Sequence, residues 1–128
     1  MIDHFGINVR DFDRSKAFYE RALAPLGASF VVLIPPDQTG GVKVGGFGPD
    51  RAGFWLNEDA APAEPLHFAF TAETRDQVDA FHAAAHAAGG RDNGGPGLRP
   101  HYHRHYYGAF VLDPDGNNVE AVCHAAPA

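Results

Sequence analysis

Apolar and polar residues alternate along residues 2–9, which predicts a strand with Phe5, Ile7 and Val9 on one face and His4, Gly6 and Asn8 on the other. Asp11 or Asp13 can cap a helix running to about Leu26, because Phe18, Ala22 and Leu26 recur at helical spacing and Gly27 follows. A β-branched and aromatic run over 28–34 predicts the next strand, stopped by Pro35, Pro36 and Asp37. Two more strands are expected over 42–47 and 52–57, parted by Gly48, Pro49 and Asp50. A short polar, Ala- and Pro-rich linker follows, and then the order repeats. His67, Ala69 and Thr71 share one strand face, with Leu66, Phe68 and Phe70 on the other. Thr74 and Gln77 form a capping-box pair for a helix whose apolar stripe is Val78, Phe81, Ala85 and Ala88, closed by Gly89 and Gly90. Residues 91–100 read as loop with one short strand. A hairpin over 106–113 and 118–124 turns at Asp113-Pro114-Asp115-Gly116-Asn117.

The repetition extends to identities. At a constant offset that carries His4 to His67, Phe5 meets Phe68, Asp13 meets Asp76, Ala17 meets Ala80, Phe18 meets Phe81, Ala22 meets Ala85, Ala24 meets Ala87 and Gly27 meets Gly90. Chance gives about two such matches in a chain this rich in Ala and Gly, so a duplicated unit is indicated. The predicted organisation is a first βαβββ module over 1–57, a linker over 58–64 and a second βαβββ module over 65–128, forming one α+β globular domain. Each module opens on a strand whose bulky face packs on its helix. The opposite faces, each bearing a His, are then free to line a cavity. In the last strand Glu120 alternates with Val119, Ala121 and Cys123 and faces the same cavity as His4 and His67.

Composition narrows the functional classes. A formal charge of −6 argues against a nucleic-acid partner. No apolar run reaches the length of a membrane span, and the start of the chain leads straight into a strand without the pattern of a signal peptide. The single Cys excludes an intrachain disulfide and points to a reducing cytoplasm. Eight His in 128 residues invite a metal.

Two imidazoles and a carboxylate leave coordination positions open for water, oxygen or a bidentate substrate. Asn57 lies at the repeat offset from Glu120, Glu58 is one residue out of strand phase, and Trp55 is in phase with Asn57. His101, His103 and His105 alternate, as a second metal site or as a segment at the cavity mouth. His82 and His86 are one helical turn apart, a zinc-capable spacing or an ordinary helix face. Tyr102, Tyr106 and Tyr107 either contact substrate or cover the core, and Arg99 and Arg104 either attract an anion or are solvated charges. Cys123 reads as a buried structural thiol. No phosphate loop and no Ser-His-Asp pattern is present, so no organic cofactor is expected.

Ile2-Asp3-His4-Phe5, Leu66-His67-Phe68-Ala69-Phe70 and the stretch from Phe110 through Asp113-Pro114-Asp115-Gly116-Asn117 to Glu120 resemble the vicinal oxygen chelate superfamily. That superfamily holds glyoxalase I, extradiol dioxygenases, and fosfomycin and bleomycin resistance proteins. The resemblance implies paired βαβββ modules whose mixed sheets curl around a shared metal-binding cavity, and a homodimer. It implies His4, His67 and Glu120 as ligands of one divalent ion (Fe, Zn, Mn, Ni or Co), with Glu120, Tyr106, Tyr107 and His101 as candidates for catalytic work. The expected activity is that of a metal-dependent lyase, isomerase or dioxygenase acting on a small oxygenated substrate. The alternative is a non-catalytic protein that sequesters an antibiotic or similar small molecule.

Overall fold

A computed structural model describes residues 1–61 and 64–127. Residues 62 and 63 of the expected linker, and residue 128 of the expected second module, lie outside the described residues. The chain forms β1 (Phe5–Val9), α1 (Phe12–Leu23), β2 (Ser29–Leu33), β3 (Val44–Gly48), β4 (Phe54–Glu58), β5 (His67–Thr71), α2 (Arg75–Ala87), β6 (Arg91–Asp92), β7 (Gly97–Leu98), β8 (Tyr107–Leu112) and β9 (Asn118–Cys123). The mixed α+β class and the repeated order are those predicted. The loop expected over 91–100 carries two short strands rather than one, both antiparallel to β8.

Local signals account for the element ends. Asp11 is the cap of α1, its Oδ1 accepting from the Arg14 amide at 3.1 Å. The helix stops at Leu23 rather than Leu26, because Pro25 cannot donate to an α-helical ladder; Ala24–Leu26 tightens into a 3-10 turn. Gly27, at φ 82, closes it in the left-handed region. Thr74 caps α2 through Oγ1 and the Gln77 amide at 3.1 Å, while Gln77 Oε1 accepts from the Glu73 amide at 2.7 Å.

The strands form two mixed sheets, ordered β1-β4-β3-β2 and β5-β9-β8-β6, with β7 on β8. The central pairs β1-β4 and β5-β9 are parallel and the hairpins β3-β4 and β8-β9 antiparallel. The sheets do not close on each other. Their helix-bearing sides merge into one core: α1 packs on α2, and Phe5 and Phe54 meet Phe68 and Phe70 with ring centroids 5.2–6.1 Å apart. The opposite faces look outward, with His4, Gly6 and Asn8 exposed on β1 and its approach, and His67, Ala69 and Thr71 exposed on β5. Among the described residues no helix is long and apolar enough to cross a membrane.

Candidate metal centre and its supports

Glu120 stands at the middle of β9, paired with Ala69 of β5 on one side and Phe110 of β8 on the other. Strand alternation turns it away from the core face of Val119 and Ala121, yet it is only 1% exposed. It is covered by its neighbours on the open face. His67 Nε2 lies 3.0 Å from its Oε1, and the Tyr106 hydroxyl donates to Oε2. Gly108 leaves the space that the carboxylate fills; a Cβ there would stand 3.1 Å from Oε2. Burial, followed by the hydrogen bond and the charge of Glu120, pushes the Tyr106 hydroxyl well above the usual phenol range. Tyr106 is therefore a fixed donor at working pH.

An aromatic and imidazole rim surrounds Tyr106. His101 lies tilted against Tyr102 with centroids 4.3 Å apart, and Tyr102 packs edge-on to Tyr106 at 4.8 Å. His103 Nε2 and His124 Nδ1 are 2.6 Å apart, and both rings lie against Tyr106. The segment turns rather than extends, so His101, His103 and His105 do not form a row. His105 instead accepts from Arg104 Nε at 3.2 Å.

Other candidates are placed elsewhere. Tyr107 lies on the helix side, its hydroxyl donating to Asp79 Oδ1 at 2.6 Å, a bond that raises its pKa. Arg99 donates to the carbonyls of Gly97 and Gly95 and lies over Phe110, which clamps the loop. His82 bonds Asp92 at 2.9 Å. Cys123 is buried, its thiol directed at the Glu73 carbonyl. Glu58 accepts the first amide of α1, from Phe12, at 2.8 Å and is thereby used as a helix cap. Asn57 donates to Asn8 Oδ1 at 3.2 Å.

His4 sits at the exposed entry to β1. Its Nδ1 is 2.6 Å from Asp3 Oδ1, and Asp3 also receives Arg51 at 2.9 Å. The His4 bond and then the Arg51 guanidinium hold the Asp3 carboxyl below its usual range. With Nδ1 turned to the carboxylate, Nε2 is the ring nitrogen left without a partner in that contact. Among the described residues no three His, Cys, Asp or Glu side chains converge within one chain. The structure thus brings His67 to Glu120 and leaves His4 apart from them.

The Asp113–Asn117 turn does more than reverse the chain. Asp113 is buried; its Oδ1 accepts from the amides of Asp115 and Asn117 at 2.9 and 2.8 Å, and its Oδ2 from the Tyr19 hydroxyl and Asn117 Nδ2 at 2.5 and 2.9 Å. Asn117 Oδ1 in turn accepts the Leu66 amide at 2.8 Å, and the Leu66 carbonyl accepts from Asn118. The turn therefore fixes α1, the start of β9 and the residue before His67 as one unit. Tyr19 had no polar signal in the sequence beyond its place on the apolar face of α1.

Residues 1–121 match the family model described as Glyoxalase/Bleomycin resistance protein/Dioxygenase superfamily. The chain belongs to that superfamily. The superfamily's architecture recurs in a glyoxalase/bleomycin resistance protein from Albidiferax ferrireducens T118, at 30% identity and TM-score 0.74 over 94% of this chain and 96% of that one. A glyoxalase I mutant from Zea mays aligns at 22% identity and TM-score 0.70, over 94% of this chain and 46% of that one, so this chain spans about half of the maize superfamily member. A fosfomycin resistance protein, FosX, from Listeria monocytogenes, in complex with Mn(II) and 1S,2S-dihydroxypropylphosphonic acid, aligns at 17% identity and TM-score 0.69 over 95% and 90% of the two chains. No protein of curated function matches the sequence significantly.

Proposed function

We propose that this chain is a metal-dependent enzyme of glyoxalase or dioxygenase type, acting on a small substrate whose two neighbouring oxygens chelate one divalent ion. The ion is held by His67 and Glu120 of one copy and His4 of a second copy in a homodimer, in the cytoplasm. The observation that carries this reading is the meeting of His67 Nε2 and Glu120 Oε1 at 3.0 Å on an outward sheet face.

The donor set fits a cation. Glu120 is a nearly inaccessible carboxylate whose ion-pair partner among the described residues is a His. An isolated buried carboxylate is costly, and a divalent ion compensates it. Imidazole and carboxylate together suit Fe, Zn, Mn, Ni or Co. His4, oriented by Asp3, offers the third donor from an equally outward face, and open sheet faces with exposed Val31, Leu33 and Leu66 support a partner copy.

The bound ion would act as a Lewis acid on the substrate's oxygens. The protein's own groups have separate tasks. Tyr106 holds Glu120 through Oε2, so that Oε1 keeps its orientation. His103 and His124, within one hydrogen bond of each other beside Tyr106, can hold and pass a proton at the mouth. His101 and Tyr102 extend that wall.

The test begins with metal analysis of the purified protein, of His67→Ala and of His4→Ala, alongside light scattering. The reading expects one equivalent per copy in the wild type, loss in both variants, retained circular dichroism and a dimeric mass. Unchanged metal in both variants, or a monomeric mass at micromolar concentration, contradicts it. Turnover is then screened on hemithioacetals, catechols and epoxide antibiotics. Tight binding of one ligand without turnover, with or without metal, replaces the enzyme by a sequestering protein.

A further inference from the structure

We infer that Trp55 is a specificity-determining residue: its indole is the platform on which a planar aromatic ring of the substrate stacks, at the position where the second module has its ligating carboxylate. The inference rests on the proposed centre shared between two copies, which sets the β1-β4 face of one copy against His67 and Glu120 of the other.

Strand register identifies the position. In the second sheet Glu120 pairs with Ala69. Gly6 is the counterpart of Ala69 at the repeat offset, and it pairs with Trp55. Asn57 pairs instead with Asn8, one strand period further on. The constant offset that matches the helices therefore fails at the last strand, where the second module has gained two residues. Trp55 rather than Asn57 is the equivalent of Glu120, and in the proposed two-copy centre the indole of one copy would stand across from the carboxylate of the other.

The surroundings are shaped to hold an indole flat. Phe54 and Leu56, on either side in sequence, are 3% and 0% exposed in the core, so Trp55 projects from the same outward face as Gly6 and Asn8. Both laterally paired residues are glycines, Gly6 on β1 and Gly46 on β3. A Cβ on Gly46 would stand 2.5 Å from Ala52 Cβ and 3.1 Å from Cδ2 and Cε3 of the indole, and one on Gly6 3.3 Å from Trp55 Cβ. The ring thus rests against backbone that carries no side chain, and it stays half-buried rather than buried.

The chemistry follows from the exchange of groups. A carboxylate at this place adds a ligand and a negative charge. An indole adds neither and offers a broad apolar face with a negative quadrupole, best matched by another planar ring in offset or edge contact. The Asn8–Asn57 amide pair, 3.2 Å from donor to acceptor on the same face, borders the platform with neutral polar groups. The substrate class is therefore an aryl or heteroaryl compound whose ring adjoins the two chelating oxygens.

Trp55 is the sole tryptophan of the chain, so emission excited selectively at tryptophan reports this position alone. Mandelate and lactate are the probes: both present the same hydroxyl and carboxylate oxygens, and they differ only by phenyl against methyl. Mn(II)-loaded protein should bind mandelate about tenfold more tightly than lactate, with a change in Trp55 emission that lactate does not produce. Trp55→Leu should equalise the two affinities with manganese content unchanged. Trp55→Phe should keep only part of the preference. Should Trp55→Leu fail to fold, Trp55→Phe carries the test. Equal affinity for both acids in the wild type, or an undiminished preference in Trp55→Leu, overturns the inference. A mandelate-specific emission change in protein that binds no manganese keeps the platform and removes the metal reading. Bound manganese without any preference does the reverse.

Discussion

The two sheets carry helices that begin at equivalent residues, Phe12 and Arg75, yet the strands that follow place different groups opposite Gly6 and Ala69. One is an indole laid against glycine backbone; the other is a buried carboxylate held by His67 and Tyr106. Their hairpins differ in the same way. Asp113 is buried under four hydrogen bonds, whereas Asp50, in the turn between β3 and β4, is exposed. The repeated first strand and helix supply packing, and both copies retain it because both bury the same core. One face of each hairpin looks outward, and that face is free to diverge. In the proposed centre, divergence there gives the second module its carboxylate and the first its indole.

Changing Glu120 should have the largest effect. Glu120→Gln keeps the shape but removes the negative charge and a ligand oxygen, and at least about a hundredfold loss of turnover with weakened metal binding is expected by kinetics and metal analysis. Asp113→Ala comes next. It leaves the Tyr19 hydroxyl, two amides and Asn117 Nδ2 without their acceptor, and urea unfolding should show a loss of about 3 kcal/mol. Asp50→Ala, its counterpart in the first module, should stay within about 0.5 kcal/mol, and a comparable loss in both would break the distinction between the hairpins.

Tyr106→Phe should retain the metal and lower turnover about tenfold through a less firmly held Glu120. Its hydroxyl pKa is raised in the folded state, so its contribution to stability is fully present below the unfolded phenol value, about pH 10, and is lost as pH rises through the folded value. The stability difference between wild type and Tyr106→Phe should therefore be flat from neutral pH to about pH 9 and shrink only in stronger alkali. A difference that shrinks near neutrality contradicts the protonated-donor role. The smallest effect belongs to Tyr107→Phe. Loss of the Asp79 bond should cost about 0.5–1 kcal/mol with metal content and substrate preference untouched.

Much of this was legible in the chain. Period-two alternation gave the faces of β1 and β5, and the helical spacing and repeat gave both helices, with the first cap left open between Asp11 and Asp13. The phase of Glu120 against Val119 and Ala121 correctly turned it from the core. Alternation could not give register, which depends on loop length and hydrogen-bond pairing between distant strands. Asn57 was for that reason matched to Glu120 where the sheet matches Trp55. Tyr106 and Tyr107 are adjacent and chemically alike, and only the strand's pleat sends one to Glu120 and the other to Asp79. The role of Asn117 in fixing Leu66 was likewise hidden, since a turn motif shows its own geometry but not the strand it grips.

The central claim, that ligands from the two modules meet across copies, has a direct measurement. Equal amounts of His4→Ala and His67→Ala protein are mixed, unfolded and refolded together so that the copies exchange, and the bound metal is counted. In an assembly across copies, half of the dimers are mixed, and each mixed dimer regains one intact site with His4 from one variant and His67 and Glu120 from the other. Metal binding should then recover to about a quarter of the wild-type value. Recovery no greater than that of either variant refolded alone contradicts the account.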